Sequence, residues 1–193
     1  MKKSVLLGAL LALPFAAAAE GLSYNYVQLD WIADTELEAG GGSADGDGYN
    51  LGGVFSINET FYLMGDYEDL GFDGGLDLQT ISVGVGVHSN AFTGGVDVFG
   101  NLTYEDVELG GLDDNGFGLE VGVRSALGEG LDGYISYDYS DVGDLEGGFF
   151  KIGANWAFNP NWSVVGEYLT GDYDVPGGSI DRDDLTLGLR YNF

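Results

Sequence analysis

The sequence predicts an all-β fold, a closed antiparallel transmembrane β-barrel of ten strands. Three observations carry this expectation. Apolar side chains recur at every second position in segment after segment, the period of a strand whose two faces differ. The chain opens on a short segment of the kind that directs export. It ends on an aromatic residue after an alternating run, Arg190-Tyr191-Asn192-Phe193.

Taken in order, Met1-Lys2-Lys3 is a charged start, 5–15 an apolar run, and Ala16-Ala17-Ala18-Ala19 a small-residue cleavage site. The run is too short for a helical span, which needs roughly 20 apolar residues. A signal peptide is therefore expected over 1–19, with a barrel domain over 20–193. Strands are expected over 21–33, 48–57, 61–69, 76–88, 93–106, 117–127, 131–141, 148–158, 162–170 and 179–193. In the first, Val27, Leu29 and Trp31 alternate with Gln28 and Asp30. In the fourth, Ile81, Val83, Val85 and Val87 alternate with Ser82, Gly84 and Gly86. The fifth sets Val96, Val98, Leu102 and Tyr104 against Asp97, Asn101 and Thr103. The sixth sets Phe117, Leu119, Val121 and Val123 against Gly118, Glu120, Gly122 and Arg124. In the last, Leu185, Leu187, Leu189, Tyr191 and Phe193 alternate with Thr186, Gly188, Arg190 and Asn192. An eight-stranded barrel is the alternative, should 131–158 form no hairpin of its own.

A soluble sandwich also alternates. The connections and the aromatic residues favour a membrane barrel. Short turns recur at Asn58-Glu59-Thr60, Ser89-Asn90-Ala91, Gly128-Glu129-Gly130 and Asn159-Pro160-Asn161. Between them lie acidic, glycine-rich stretches, 34–47, 70–75, 110–116, 143–147 and 171–178, expected as longer extracellular loops. Phe61, Trp156, Phe158, Trp162, Tyr191 and Phe193 fall near the short turns or the terminus. Trp31, Tyr67, Tyr104, Tyr139 and Tyr168 fall near the acidic stretches. These are two expected girdles at the membrane interfaces. Phe193 is the expected assembly signal.

The mature start Glu20-Gly21-Leu22-Ser23-Tyr24-Asn25-Tyr26-Val27 resembles a small outer-membrane barrel family of plant-associated bacteria, once named as activators of a rice immune receptor. Leu119-Glu120-Val121-Gly122-Val123-Arg124-Ser125-Ala126-Leu127 and Asn159-Pro160-Asn161-Trp162 add to the likeness. More broadly the chain is similar to the OmpA/OmpX-like barrels. The resemblance implies fold and location in the cell outer membrane, and it implies no catalytic residues.

Charge narrows the partners. The chain carries six basic and 32 acidic residues, a net charge of −26. Nucleic acid is excluded as a partner, because its binding needs a basic footprint. Acidity of this degree suits disorder only where apolar content is low, and here 45% of residues are hydrophobic. With no cysteine, neither disulfides nor thiol chemistry contributes.

No catalytic site is expected. Nucleophilic catalysis needs a nucleophile beside a base. The one histidine, His88, is expected at the periplasmic end of a strand as a structural polar residue. The pairs Asp113-Asp114 and Asp183-Asp184 follow from the number of acids, and Asp45-Gly46-Asp47-Gly48 lacks the remaining ligands of a calcium loop. No cofactor and no specific metal is expected, only diffuse divalent cations at the loops. Gly84-Val85-Gly86 lacks the third glycine and helix of a dinucleotide site.

The lumen is more informative. Alternation turns Arg124, Lys151 and Arg190 inward, with Asp66, Asp97, Glu105, Glu120, Asp138 and Glu167. Arg124 is expected to meet Asp97, Glu105 or Asp138, and Arg190 to meet Glu167, Asp30 or Gln28. Buried charges need partners, so a salt-bridged polar lumen is expected. The function expected is non-enzymatic, a structural or surface-interaction role in the outer membrane. A small cation-selective, porin-like channel is the alternative. Outer-membrane lipid and the outer-membrane assembly machinery are the expected partners.

Overall fold

A computed structural model of the chain describes residues 22–92 and 95–193. The expected signal peptide, 1–19, lies outside the described residues. The chain forms ten strands: β1 (Tyr26–Ala39), β2 (Gly42–Ser56), β3 (Phe61–Phe72), β4 (Leu76–Phe92), β5 (Val96–Leu109), β6 (Leu112–Gly128), β7 (Leu131–Val142), β8 (Leu145–Ala157), β9 (Trp162–Val175) and β10 (Gly178–Asn192). Each pairs antiparallel with its chain neighbours, and β1 pairs with β10 to close the ring. Ten strands, not eight, make up the wall. Closure leaves no open edge, the condition for a sheet to cross lipid.

The strands run for 12 to 17 residues, where a tilted span needs about 9–11. The excess lies at the end away from the termini. There the acidic stretches expected as long loops are strand. Ala39 pairs with Gly42, Leu109 with Leu112, Val142 with Leu145 and Val175 with Gly178. The turns between are tight. Gly40-Gly41 and Gly110-Gly111 have φ of 59° and 87°, and 58° and 85°. Positive φ at both central positions is what a two-residue hairpin of right-handed twist requires, and glycine adopts it without strain.

The reversal has a physical cause, a change of chemistry along each strand at constant parity. In the half nearer the termini, outward positions are apolar: Ile81, Val83, Val85 and Val87 on β4 are about half exposed. Towards the far end the outward positions become acidic, as Asp106 and Glu108 on β5, and the inward ones apolar, as Val107 and Leu109. Lipid outside selects the first pattern and water outside the second. β1 changes parity in mid-strand, through a bulge between Ile32 and Thr35 that keeps both inside. A bulge adds one residue and re-aims every side chain beyond it.

Aromatic residues mark both borders of the apolar belt. Near the termini, Phe55 and Phe193 lie 5.4 Å apart between ring centroids, and Trp162 and Tyr191 4.9 Å. At the upper border Tyr104 meets Phe117 at 5.7 Å and Tyr137 meets Phe150 at 4.9 Å. Tyr139 there donates to Glu146 and Tyr168 to Asp183, so each ring ends in the acidic zone.

Candidate functional site: the lumen

The lumen is built in three layers. The far layer is apolar. Ile32, Leu70, Phe72, Leu78, Val107 and Val142 are buried against one another, with Leu37, Leu76, Leu109 and Leu145 packed around them. Leu70 is wholly inaccessible. This part of the barrel has a hydrophobic interior and an acidic exterior, the arrangement of a water-soluble barrel. The sequence hides this layer because Asp and Gly are also the residues of loops. The signal was present as alternation of opposite sign, Asp69-Leu70-Gly71-Phe72 and Asp106-Val107-Glu108-Leu109.

Below it lies a polar chamber of about 280 Å³. Asp30, Asp66, Glu68, Glu105, Glu120, Asp138, Glu167 and Asp184 line it, with Lys151 and Arg182 as the cations. Glu120 on β6 stands directly opposite Asp138 on β7, a repulsive pair in isolation. Lys151 enters from β8, with Nζ 2.8 Å from Asp138 and 3.6 Å from Glu120. Asn101 and Ser136 also donate to Glu120, at 2.7 Å each. Tyr134 donates to Glu167, and Ser140 donates to Glu105 at 2.6 Å. Ser82 donates to Asp66 at 2.6 Å.

Arg182 lines the chamber from β10. It reaches across the lumen to Glu68 on β3 at 3.0 Å and holds Asp184 at 2.6 Å. Thr35 donates to the same Asp184 at 2.5 Å. Sequence reasoning placed three cations inside and left Arg182 out, although it shares the parity of Arg190 on β10. Among the described residues every lysine and arginine faces the lumen.

The lower layer holds the remaining cations. Arg124 stands opposite Asp97 on one side and Tyr134 on the other. Its ion-pair partner is neither Asp97, Glu105 nor Asp138 but Asp132, diagonal on β7, at 2.7 and 3.1 Å. Asp97 instead faces His88, 3.2 Å away, and diagonal neighbours lie within reach of a long side chain. Arg190 donates to Gln28 across the seam at 2.6 Å and lies 3.9 Å over the Tyr26 ring. Gln28 passes the contact on to Asp30 at 2.8 Å. Phe193 projects outward, 56% exposed, with its N–H donating to Asn25.

Glycines in the wall make room for this filling. A side chain at Gly153 would collide with the Tyr134 ring, and one at Gly188 with Asp30. Large lumenal side chains can lie flat against the wall only where the neighbouring position lacks a Cβ.

The outer membrane protein beta-barrel domain family matches residues 4–158. The chain belongs to this outer-membrane β-barrel family. The barrel therefore resides in the outer membrane, with lipid around its apolar belt. No curated protein matches it by sequence. Among solved structures, Neisserial surface protein A is similar at 18% identity and a TM-score of 0.49, over 90% of this chain and 100% of that one. A KdgM porin is similar at 12% and 0.46, over 87% and 99%. The attachment invasion locus protein of Yersinia pestis is similar at 15% and 0.43, over 89% and 100%. The assignment rests on the family match, not on these likenesses.

Proposed function

We propose that the barrel is a non-enzymatic outer-membrane protein whose lumen is closed and whose role is structural or one of surface interaction. The observation that carries this reading is the apolar layer across the far lumen. A constriction lined by Leu70, Phe72, Leu78 and Val142 excludes water and so excludes hydrated ions. The ion pairs below it line a chamber of about 280 Å³ and make the polar part of the lumen salt-bridged. His88, held between Asp97 and the Tyr24 ring, reads as structural. The alternative, a narrow cation-selective channel, is favoured by one observation: carboxylates greatly outnumber cations around the chamber. Planar-bilayer recording of the refolded protein separates the two. The parent is expected to be silent, and steady cation-selective steps would establish the channel.

We also propose that a signal peptide over 1–19 delivers the chain and that Phe193 addresses it to the outer-membrane assembly machinery. Deleting Phe193 is expected to lower insertion and leave unfolded protein in the periplasm. Heat-dependent gel migration of envelope fractions measures this, and a deletion variant inserting at parental yield refutes it. A closer kinship with the barrels of plant-associated bacteria rests on the short stretches given above.

Surface interaction would use the acidic outer wall. Carboxylates face each other directly between strands there, as Glu38 with Asp181, Glu108 with Asp113 and Asp141 with Glu146. Like charges so placed destabilise a sheet. Diffuse divalent cations are the proposed relief, centred on Asp45, Asp47, Asp113, Asp114, Asp181 and Asp183. Millimolar calcium or magnesium should raise the melting temperature by a few degrees, and monovalent salt should reproduce much of the effect by screening. A melting curve indifferent to both ions would show the repulsion to be negligible.

A further inference from the structure

The lumen is shut differently at its two ends. At the far end the closing side chains belong to the strands themselves. At the end of the termini, a short segment that belongs to no strand enters the lumen. Residues 22–25 precede β1 and lie outside the ladder. Tyr24 is 7% exposed. Its ring stacks on His88 of β4 at 3.8 Å and on Tyr62 of β3 at 5.0 Å. Val54 of β2 and Tyr62 complete the cluster around it, and Leu22 packs against the same group.

Across the mouth, Arg124 of β6 donates to the Ser23 carbonyl at 2.9 Å and lies 5.6 Å over the Tyr24 ring. In the ring of ten strands β6 is the one farthest from β1, five steps away in either direction. The segment and the Arg124 side chain together therefore bridge opposite walls of the opening. Its inner neighbours lead to the chamber: Tyr62 donates to Asn101 at 2.5 Å, and Asn101 lines the chamber and donates to Glu120.

The bonds that hold the segment are few and separable from the wall. Ser56 donates to the Tyr24 carbonyl at 3.1 Å, the Ser56 N–H to Asn25 at 2.9 Å, and Phe193 N–H to the Asn25 carbonyl at 3.2 Å. None belongs to a strand ladder that must break for it to leave. Segments of this kind open at far lower free energy than the sheet around them.

We propose that residues 22–25 are a strap that closes the periplasmic mouth and, on undocking, opens the chamber to the periplasm while the apolar layer keeps the outside shut. The chamber is thus a one-sided vestibule. This inference rests on placing both termini in the periplasm: the even strand number and closure put them on one side, and outer-membrane barrels turn that side to the periplasm. It shares the far closure with the closed-lumen reading: a steadily conducting parent would overturn both, whereas a silent parent with equal reporter rates would overturn the strap alone.

The chain has no cysteine, so a single introduced thiol reports on the chamber. Thr186 lines it and makes no side-chain ion pair. A Thr186→Cys reporter in refolded protein would be exposed to a small cationic methanethiosulfonate, and its modification rate measured. The parent reporter should react slowly. Deleting residues 22–24 should speed the reaction by roughly tenfold or more, since opening of the mouth would no longer be required. Tyr24→Ala should act in the same direction, and it serves where the deletion does not fold. Tyr24→Phe keeps the stacking ring and should react at the parent rate. Heat-dependent gel migration confirms that each variant is a closed barrel. Equal rates in the parent, the deletion and Tyr24→Ala, whether slow or fast, would overturn the proposal. A Tyr24→Phe reporter as fast as the deletion would overturn the role of the stacked ring.

Discussion

A barrel carrying Leu70→Asp is expected to lose several kcal/mol of stability. Combined with Tyr24→Ala it is expected to conduct cations where the parent is silent. Leu70 has no exposed surface and sits among Ile32, Phe72, Leu78, Val107 and Val142. Removing that side chain alone, as in Leu70→Ala, should destabilise by about 3–5 kcal/mol, from lost transfer energy and the cavity left behind. An aspartate adds a carboxylate with no cation in the layer to meet it. The penalty is lowered only by drawing water in. A wetted layer is an open one, because hydrophobic constrictions block ions by excluding water. Two closures in series must both be released, so Leu70→Asp alone should stay silent while the strap is docked. Cation selectivity follows from the carboxylate excess around the chamber. Urea titration in detergent and bilayer recording measure the two halves. A double variant that stays folded and silent would show that the far layer is not the barrier.

Arg182→Ala should be the most damaging single loss of a cation. Arg182 is 6% exposed and is the cation that holds Glu68 and Asp184 together. Its removal leaves two carboxylates inside the barrel without their counter-charge, a change of about 3–5 kcal/mol where the site is dry. Water in the chamber should bring the loss towards the lower figure. The same reasoning fixes the sign of a rescue. Adding Glu68→Gln to Arg182→Ala removes one unpaired charge and should recover part of the stability, although Glu68→Gln in the parent breaks an ion pair and destabilises. Urea midpoints for the two single variants and the double variant form the cycle that decides it. A double variant less stable than Arg182→Ala would mean that Glu68 has another counter-charge.

Much of the barrel was legible in the sequence wherever lipid constrains it. Ile81 to Val87, Phe117 to Val123 and Leu185 to Leu189 must be apolar at every second position, because one face meets hydrocarbon along its whole length. That periodicity set ten strands, their antiparallel order and the inward parity of Arg124, Lys151, Glu120 and Arg190. It also set the aromatic borders at Trp162 and Tyr191 and at Tyr104, since rings with a polar tip collect where lipid meets water.

Where water replaces lipid outside, the same periodicity continued with its sign reversed. Leu70-Gly71-Phe72 lies in a stretch expected as loop but is strand, and its inward apolar side chains build the upper lumen. Three further features were decided by the tertiary structure alone. The choice of Asp132 over Asp97 for Arg124 depends on which diagonal neighbour is already engaged, here by His88. The bridge from Arg182 to Glu68 joins strands 114 residues apart in sequence. The docking of Tyr24 against His88, Tyr62 and Arg124 gathers residues from four separate segments. Periodicity reports which face a residue takes, because that is a property of one strand. Partners across a lumen are set by ring closure and register, which no single segment encodes.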